Sequence, residues 1–356
     1  MVMQNHASIK DIARLARVSV STVSRVLNDH PDASTEARER VGKAIELLKY
    51  RPNSRARQLV KKTAETICLV LSNREVINAF HARILMGVER YAKARGRNLI
   101  FVHLDYSPET PASEVALPTV VMERSAIDGL IVAGTNHLNF IEALRDLEVP
   151  FVVFSNNLNA RNAADSLHTV GFDSADGTRQ ATEYLLGLRH LNIWCIADIS
   201  IPWYARCYEG YAKAMQQAGL QARRVSLAQR ESPFLYGKEC AAWLLDQKLP
   251  VSAIVAGDDE IALGVLATMR ERNLRAPEHW SVVGFDDLEE LKYCRPALTT
   301  VRVDREKVGE ELAKLLFERL ETPGMSPVQR LLPTQLVVRE TCAALPPQTA
   351  ETLAST

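Results

Sequence analysis

From residue 65 onwards, short apolar runs alternate with amphipathic helical segments, and this alternation restricts the fold more than any other feature of the chain. The runs read TICLVL, NLIFVHL, GLIVAG, PFVVFS, LNIWCIA, SAIVAG and SVVGFD. Strands that are apolar along their whole length are typical of parallel sheets covered by helices on both faces. Two successive sets of such strands predict a two-lobed α/β body, in which a ligand binds between the lobes at the carboxyl ends of the strands.

The beginning of the chain follows a different, purely helical pattern. Apolar side chains recur at three- and four-residue steps over residues 9–16 and again over residues 23–27. Residues 17–19 break the pattern, and Ser19 is a good N-cap for the second helix. A third helix begins near Ser34. Two helices joined by a tight turn, with a third closing a small core, predict a helix-turn-helix head.

The second of these helices carries small hydroxyl side chains and one arginine, in the stretch VSVSTVSRVLN. A helix in the major groove must lie close to the base edges. Short hydroxyls can bond to phosphates without holding the helix away, and one arginine can read guanine through a bidentate contact. The composition therefore favours a DNA-reading helix. The alternative is a plain three-helix bundle with a polar face.

The formal net charge of zero conceals an uneven distribution. Residues 1–64 contain 13 Lys and Arg against 6 Asp and Glu, whereas the rest of the chain contains 30 and 37. A basic head on an acidic body predicts that only the head contacts a polyanion.

Several signals of other protein classes are missing from the sequence. It has no run of about eighteen apolar residues and no secretory apolar segment near its start. The six cysteines are scattered without a C-x-x-C pair, as expected of reduced thiols in the cytoplasm. No P-loop, G-x-S-x-G, zinc-ligand spacing or strand-linked G-x-G-x-x-G occurs. We expect a cytoplasmic protein that is not an enzyme, has no membrane partner and needs no metal or cofactor.

The string SIKDIARLARVSVSTVSRVLN, residues 8–28, resembles the DNA-binding head of the lactose-repressor/galactose-repressor (LacI/GalR) family of bacterial transcription regulators. The resemblance continues through GLIVAG, VGFDSADGTRQAT, GDDEIALGVL and PALTTVRVD to about Thr341. It implies a helix-turn-helix head joined to a two-lobed periplasmic-binding-protein type I effector domain with Rossmann-like parallel sheets. The expected divisions are a head at residues 1–52, a hinge helix or linker at 53–64, an effector and dimerisation domain at 65–341, and a disordered tail at 342–356.

The resemblance implies DNA contacts by residues of the head and of the hinge. The matching positions are Ser8, Val20, Ser21, Thr22, Ser24, Arg25, Asn28, Arg55, Ala56 and Leu59. Base reading is assigned to Val20, Ser21 and Arg25. In a hinge helix that pairs with its copy across a homodimer, Leu59 would act as a minor-groove wedge. The alternative for residues 53–64 is a basic, flexible linker. A symmetric homodimer implies a near-palindromic operator.

Polar and aromatic residues that follow predicted strands are the candidate effector contacts. They are Phe80, His81, Ser155, Asn156, Trp203, Arg206, Asp258 and Asp286. Asp286 matches the family's acceptor for ligand hydroxyls, and Asp258 stands where the family commonly has Asn. Other roles are open at this point: either aspartate could cap the following helix, Phe80 could belong to the core, and His81 could be an exposed helix residue.

One departure from the family bears on the chemistry of the effector. The family usually has an arginine three residues before a glycine, but here Cys207 precedes Gly210 and the arginine is Arg206. A one-residue shift on a helix turns a side chain by about 100°, away from the cleft. Without this cation and with Asp258 the pocket would be net anionic. This favours a neutral sugar or polyol, or a cationic amine, over phosphorylated or carboxylated ligands.

The predicted function is that of a sequence-specific transcriptional repressor whose operator affinity is switched by a small molecule between the lobes. Its predicted partners are near-palindromic operator DNA, a second copy of the chain and a sugar or polyol effector. The alternatives are a corepressor-type regulator of non-sugar metabolism and a pure sugar-binding protein.

Overall fold

The computed structural model describes residues 7–27, 30–50, 63–74, 79–123, 125–159, 165–228 and 232–346. Contacts within the chain divide it into two compact units, residues 1–64 and residues 65–356. None of the helices described is both long enough and apolar enough to span a bilayer.

The first unit contains three helices: α1 (Ile9–Ala16), α2 (Val20–Leu27) and α3 (Thr35–Leu48). Each begins at a serine whose hydroxyl accepts a backbone hydrogen bond, and for α2 and α3 these serines are the ones that the sequence predicts. Ser19 Oγ accepts from the Thr22 amide at 3.0 Å, and Ser34 Oγ accepts from the Ala37 amide at 3.2 Å. One apolar core of α1, α2 and α3 side chains closes this small unit.

The second unit contains two sheets covered by helices. Its strands are β1 (Thr66–Ser72), β2 (Asn98–Leu104), β3 (Gly129–Gly134), β4 (Phe151–Phe154), β5 (Thr169–Phe172), β6 (Ile193–Ile196), β7 (Arg223–Val225), β8 (Ala253–Ala256), β9 (Ser281–Asp286), β10 (Thr299–Arg302), β11 (Gln329–Leu332) and β12 (Gln335–Val337). Its helices are α4 (Ala79–Ala94), α5 (Thr119–Met122), α6 (Leu138–Arg145), α7 (Ser174–Gly187), α8 (Pro202–Gln217), α9 (Pro233–Asp246), α10 (Asp259–Glu271) and α11 (Arg305–Glu321).

Each sheet is the centre of one lobe. The first sheet has the order β11-β5-β4-β3-β1-β2 and is parallel throughout. The second has the order β12-β10-β9-β8-β6-β7, in which only β12 is antiparallel to its neighbour. The central strands β1, β3 and β8 are buried along their whole length, which explains their continuous apolar runs. The predicted pair of parallel sheets is confirmed.

The chain passes between the lobes three times: after β5, after β10, and between β11 and β12. Two of these crossings are bonded to each other. The Asp173 amide donates to the Leu332 carbonyl at 3.0 Å, and Thr334 Oγ1 donates to the Asp173 carbonyl at 3.2 Å. The lobes are therefore joined by several short, mutually supported segments, on which one lobe can turn against the other.

Helix α11 follows a strand of the second sheet but packs against α4 of the first lobe. Their backbones approach closely at two glycines. A Cβ atom on Gly87 would lie 2.0 Å from the Glu306 carbonyl oxygen, and one on Gly309 would lie 2.1 Å from the Ile84 carbonyl oxygen. Glu306 also forms an ion pair with Arg83 at 2.9 Å. This contact holds helix α11, from the last quarter of the second unit, against α4, the first helix of that unit.

Residues 342–356 are predicted to form a disordered tail, and of these, residues 347–356 lie outside the described ranges. The structure places residues 342–346 on the second lobe instead. Nε2 of His190 lies 3.0 Å from the Ala343 carbonyl oxygen, and the Leu345 amide donates to the Leu188 carbonyl at 3.0 Å. Hydrogen bonds to the backbone of residues 342–346 therefore order this segment without any side-chain periodicity.

Candidate functional site

Helix α2 presents the predicted DNA-reading side chains on its outer surface. Val20 is 43% exposed, and Ser21 and Arg25 are exposed as well. The Ser19 hydroxyl lies 2.7 Å from the Ser21 hydroxyl and 2.8 Å from that of Thr22, so the helix begins with a cluster of short hydroxyls. The outer surface of α2 therefore carries short hydroxyl side chains and one arginine, Arg25.

The other predicted DNA contacts are more scattered or lie outside the described residues. Ser24 is half-buried on α2. Ser8 is the N-cap of α1 and forms a capping box with Asp11. Because these hydrogen bonds hold Ser8 at the start of α1, its side chain serves the local fold as well as any contact with a phosphate. The predicted contacts Asn28, Arg55, Ala56 and Leu59 lie outside the described residues.

A cavity of about 640 Å³ lies between the two lobes and is open to solvent at one side. It brings together five of the predicted effector residues, which are Phe80, His81, Trp203, Asp258 and Asp286. The other wall residues are Arg74, Ala79, Asn157, Phe172, Tyr204, Pro233, Glu260 and Leu288. Carboxyl groups, one guanidinium and aromatic rings therefore meet in a single concave site.

Asp258 both caps a helix and faces the cavity. Its Oδ1 accepts from the Ile261 amide at 2.7 Å at the start of α10, and its Oδ2 accepts from the Tyr204 hydroxyl. Burial raises the pKa of Asp258, although the bond from Tyr204 opposes that rise. Burial and the neighbouring Asp258 charge raise the pKa of Tyr204 well above its usual range, so its hydroxyl remains a donor. Both Asp258 oxygens already have partners.

Asp286 differs from Asp258 because its carboxyl is not satisfied by the protein. It ends β9 with φ at 112°, and Asp287 follows with φ at 54°, so both occupy the left-handed side of backbone space. Within the described ranges, no side chain or amide donates to the Asp286 carboxyl. Burial, followed by the charges of Asp259 and Asp258, raises the pKa of Asp286 well above its usual range. A ligand hydroxyl would satisfy this group.

The strained turn at Asp286 is held by groups behind it. Asp287 accepts from Arg302 Nε at 2.6 Å and forms a second ion pair with Arg339. Arg305 donates to the Asp287 carbonyl at 3.0 Å. On the other side, the Leu288 amide donates to a carboxylate oxygen of the buried Asp259 at 2.8 Å. These contacts fix the direction in which Asp286 points.

Phe80 and His81 form the first-lobe wall of the cavity. Phe80 packs against the rings of Phe154 and Phe172, with centroids 6.1 and 5.9 Å away. His81 is buried, and its Nε2 lies 3.4 Å from Asn157 Nδ2. Burial, helped by the positive charge of Arg74, lowers the pKa of His81 to about 3. The imidazole is therefore neutral, and its Nε2 accepts from the amide.

We expect the His81 imidazole to keep its neutral NMR shifts from pH 8 down to about pH 5. Because the unfolded chain takes up this proton near pH 6.5 and the folded chain only near pH 3, the contribution of His81 to stability is complete above about pH 6.5 and is lost as the pH falls. Histidine-selective labelling of the native protein measures this, with the urea-unfolded chain as control. A native His81 that titrates near pH 6 would contradict the burial described above.

Three predicted effector residues are not brought to this cavity. Ser155, Asn156 and Arg206 line a separate cavity of about 850 Å³. Asn156 is occupied structurally, since its Nδ2 donates to the Phe172 carbonyl and its Oδ1 accepts from the Phe172 amide, each at 2.8 Å. The short turn at Ser155–Asn157 directs the next residue, Asn157, to the first cavity instead.

The position of the family's arginine also lies outside the first cavity. Cys207 is buried, and its Sγ lies 3.9 Å from the Gly257 carbonyl oxygen. The cavity nevertheless contains a cation that sequence reasoning missed, because Arg74 enters it from the loop after β1. The signal was present in the sequence: Arg74 directly follows an apolar strand, as ligand-binding residues of parallel sheets do.

Two protein families match this chain, one in each of its two compact units. Residues 8–53 match the family described as bacterial regulatory proteins, lacI family. Residues 182–342 match the periplasmic binding protein-like domain. The HTH-type transcriptional regulator MalR of Clostridium butyricum is 29% identical over 344 residues, which cover 94% of this chain and 99% of the relative.

Two solved structures extend this similarity to the whole chain. The lac repressor dimer bound to operator and the anti-inducer ONPF matches with a TM-score of 0.80 and 25% identity, over 95% of this chain and 99% of that one. A complex of the transcriptional regulator CelR with cellobiose matches with a TM-score of 0.67 and 27% identity, over 94% and 99%. One relative thus holds DNA and another a sugar.

Proposed function

The chain belongs to the LacI family of bacterial regulatory proteins, and from that membership we propose that a neutral sugar or polyol, bound in the cavity between the lobes, controls how tightly the head holds operator DNA. The protein is a DNA-binding transcriptional repressor with a periplasmic-binding-protein-like effector domain, and it is not an enzyme.

The observation that carries the proposed effector is the unsatisfied Asp286 carboxyl on a clamped turn. Hydroxyl groups are the donors that such a carboxyl lacks, and a sugar ring can also pack on the aromatic wall formed by Phe80. The cellobiose complex of the relative CelR supports the same ligand class.

The switch is proposed to work through the three crossings between the lobes. A ligand that contacts Asp286 in the second lobe and the Phe80 wall in the first stabilises one relative orientation of the lobes. A homodimer would transmit this preference to two heads on a near-palindromic operator. The lac repressor dimer bound to operator supports this arrangement.

The test is selection of binding sites from random duplex DNA with the purified, ligand-free protein. The proposal expects a near-palindromic sequence, and the selected duplex then serves as the probe for sugars and polyols that change its affinity. Recovery of an asymmetric single half-site would contradict the dimer. If no sequence is enriched, selection in the presence of the sugar panel tests whether a ligand must secure DNA binding; failure there too would contradict the proposal.

Replacing Arg25 by alanine should weaken binding to the selected operator by about 10- to 100-fold and relax the sequence preference at one base pair of each half-site. Arg25 is the exposed cation of α2 and has no ion pair within the described residues. Arg40→Ala removes a cation from α3 and is the matched control, with about the loss expected of one charge. Equal losses in both variants would show that Arg25 reads no base.

A further inference from the structure

Arg74 reaches across the cleft from one lobe to the other. It follows β1 of the first lobe, where its carbonyl accepts from His103 Nε2 at 2.8 Å. Its guanidinium carbon lies 4.2 Å from the centroid of the Trp203 ring, which belongs to α8 of the second lobe. A guanidinium stacked on an indole face at this distance is a cation–π contact.

Three acidic side chains of the second lobe line the cavity in which this contact lies. Burial lowers the pKa of the Arg74 guanidinium, and the negative charges of Asp258, Glu260 and Asp286, which line the same cavity, oppose that fall. Arg74 Nε is buried, and within the described ranges it has no hydrogen-bond partner. The second lobe therefore offers an aromatic face in a cavity that three acidic side chains also line, and an aromatic face near acidic groups can recognise a planar cation.

We propose that the second-lobe wall of the cavity is a guanidinium subsite, formed by Trp203, Asp258 and Asp286 and occupied by the protein's own Arg74. Resting on the effector cavity of the proposed function, this makes Arg74 a specificity-determining residue. It fills the place that a cationic ligand would take, so the protein rejects amines and guanidines. Its remaining N–H groups are donors for the oxygens of a neutral polyol, while Asp286 accepts from the hydroxyls of the same ligand.

Arg74 also supplies the positive charge of the cavity. The cation usual in this family is replaced at Cys207, but Arg74 supplies one from a different element and a different lobe. Because Arg74 belongs to the first lobe and its partners to the second, a ligand bonded to both Arg74 and Asp286 spans the cleft. Arg74 thus excludes cationic ligands, and it links the two lobes through a bound neutral polyol.

The experiment removes the Arg74 side chain from the subsite and supplies a free guanidinium compound that can bind in its place. Methylguanidinium is titrated into the full-length wild-type protein, Arg74→Ala and Arg90→Ala by isothermal calorimetry. Arg90 is an exposed arginine of α4 paired with Glu306 and is the matched control. We expect Arg74→Ala to bind methylguanidinium about ten-fold more tightly than wild type or Arg90→Ala. Adding Trp203→Leu or Asp286→Asn to Arg74→Ala should remove most of that gain.

A second readout does not depend on calorimetry. Because the Arg74 charge helps to lower the pKa of His81, Arg74→Ala should raise that pKa, and methylguanidinium should lower it again. If Arg74→Ala does not fold, Arg74→Gln takes its place in the experiment, because glutamine removes the guanidinium charge and keeps more of the side-chain volume. Equal binding of methylguanidinium by folded wild type and folded variant overturns the subsite. That result leaves operator selection untouched, so it is distinct from failure of the proposed function.

Discussion

Replacing Asp286 by alanine is expected to weaken effector binding by about 10- to 100-fold while the affinity of the ligand-free protein for the selected operator stays within about two-fold. The Asp286 carboxyl lines the cavity, and no described protein group donates a hydrogen bond to it. Removing it leaves a ligand hydroxyl in the cavity without its acceptor, and a buried polar group without its partner costs about 1–3 kcal/mol. Titration of a fluorescent operator duplex with the effector found by screening measures both quantities at once.

The control for this prediction is Glu271→Ala, which removes an exposed acid from the far end of α10 without touching the cavity. It should leave the effector response as in wild type. Asp286→Asn should keep part of the affinity, because the amide oxygen still accepts one hydroxyl hydrogen bond. An Asp286→Ala variant with the wild-type effector response would place the ligand elsewhere.

Asp287→Ala is expected to lower the stability of the second unit by about 3 kcal/mol. The reason is that the nearly buried Arg339 guanidinium loses the charge of its carboxylate partner. Arg339 is only 14% exposed, whereas Arg302 is 46% exposed and can turn to water. Thermal unfolding should show a midpoint lower by roughly 6–12 °C for a unit of this size. Arg302→Ala is the milder comparison, with about 1 kcal/mol or less.

The pH dependence of the stability difference between wild type and Asp287→Ala tests whether the lost interaction is electrostatic. Burial alone would raise the pKa of Asp287, but the hydrogen bonds from Arg339 and Arg302 outweigh it and lower the pKa. A carboxyl with a lowered pKa stabilises the fold fully above its unfolded value of about 3.9, and this contribution is lost as the pH falls through the folded value. The gap between wild type and Asp287→Ala should therefore narrow below about pH 4. A gap that is constant from pH 7 to pH 3 would mean that packing, not charge, is lost.

The sequence predicted the architecture well where periodicity carries the information. The serine caps of α2 and α3 and the apolar runs of β1, β3 and β8 all occur as expected. Strands β11 and β12 gave no signal, because they are edge strands of four and three residues without a buried side chain. The direction of β12 and the order of segment 342–346 follow from backbone pairing, which leaves no side-chain pattern.

The candidate site was predicted in part, for a reason visible in Asp258 and Asn156. Sequence position places a residue at the end of a strand, but one residue along a turn decides whether its side chain faces the cavity or the neighbouring strand. Asp258 does both tasks, since one oxygen caps α10 and the other meets Tyr204 at the cavity. Asn156 turns back to β5, and Asn157 takes its place at the wall. Arg74 was missed because the family comparison directs attention to another helix.

The path of the chain between the lobes also determines the order in which the protein can be built on the ribosome. Helix α11 and strand β11 complete the first lobe, yet both are synthesised after nearly all of the second. Until they emerge, Gly87 on α4 faces an empty groove and β5 has an open edge. The head needs only its own residues to close its core. A nascent or truncated chain thus has a finished DNA-binding unit attached to an unfinished sensor, whose exposed sheet edge invites aggregation or proteolysis.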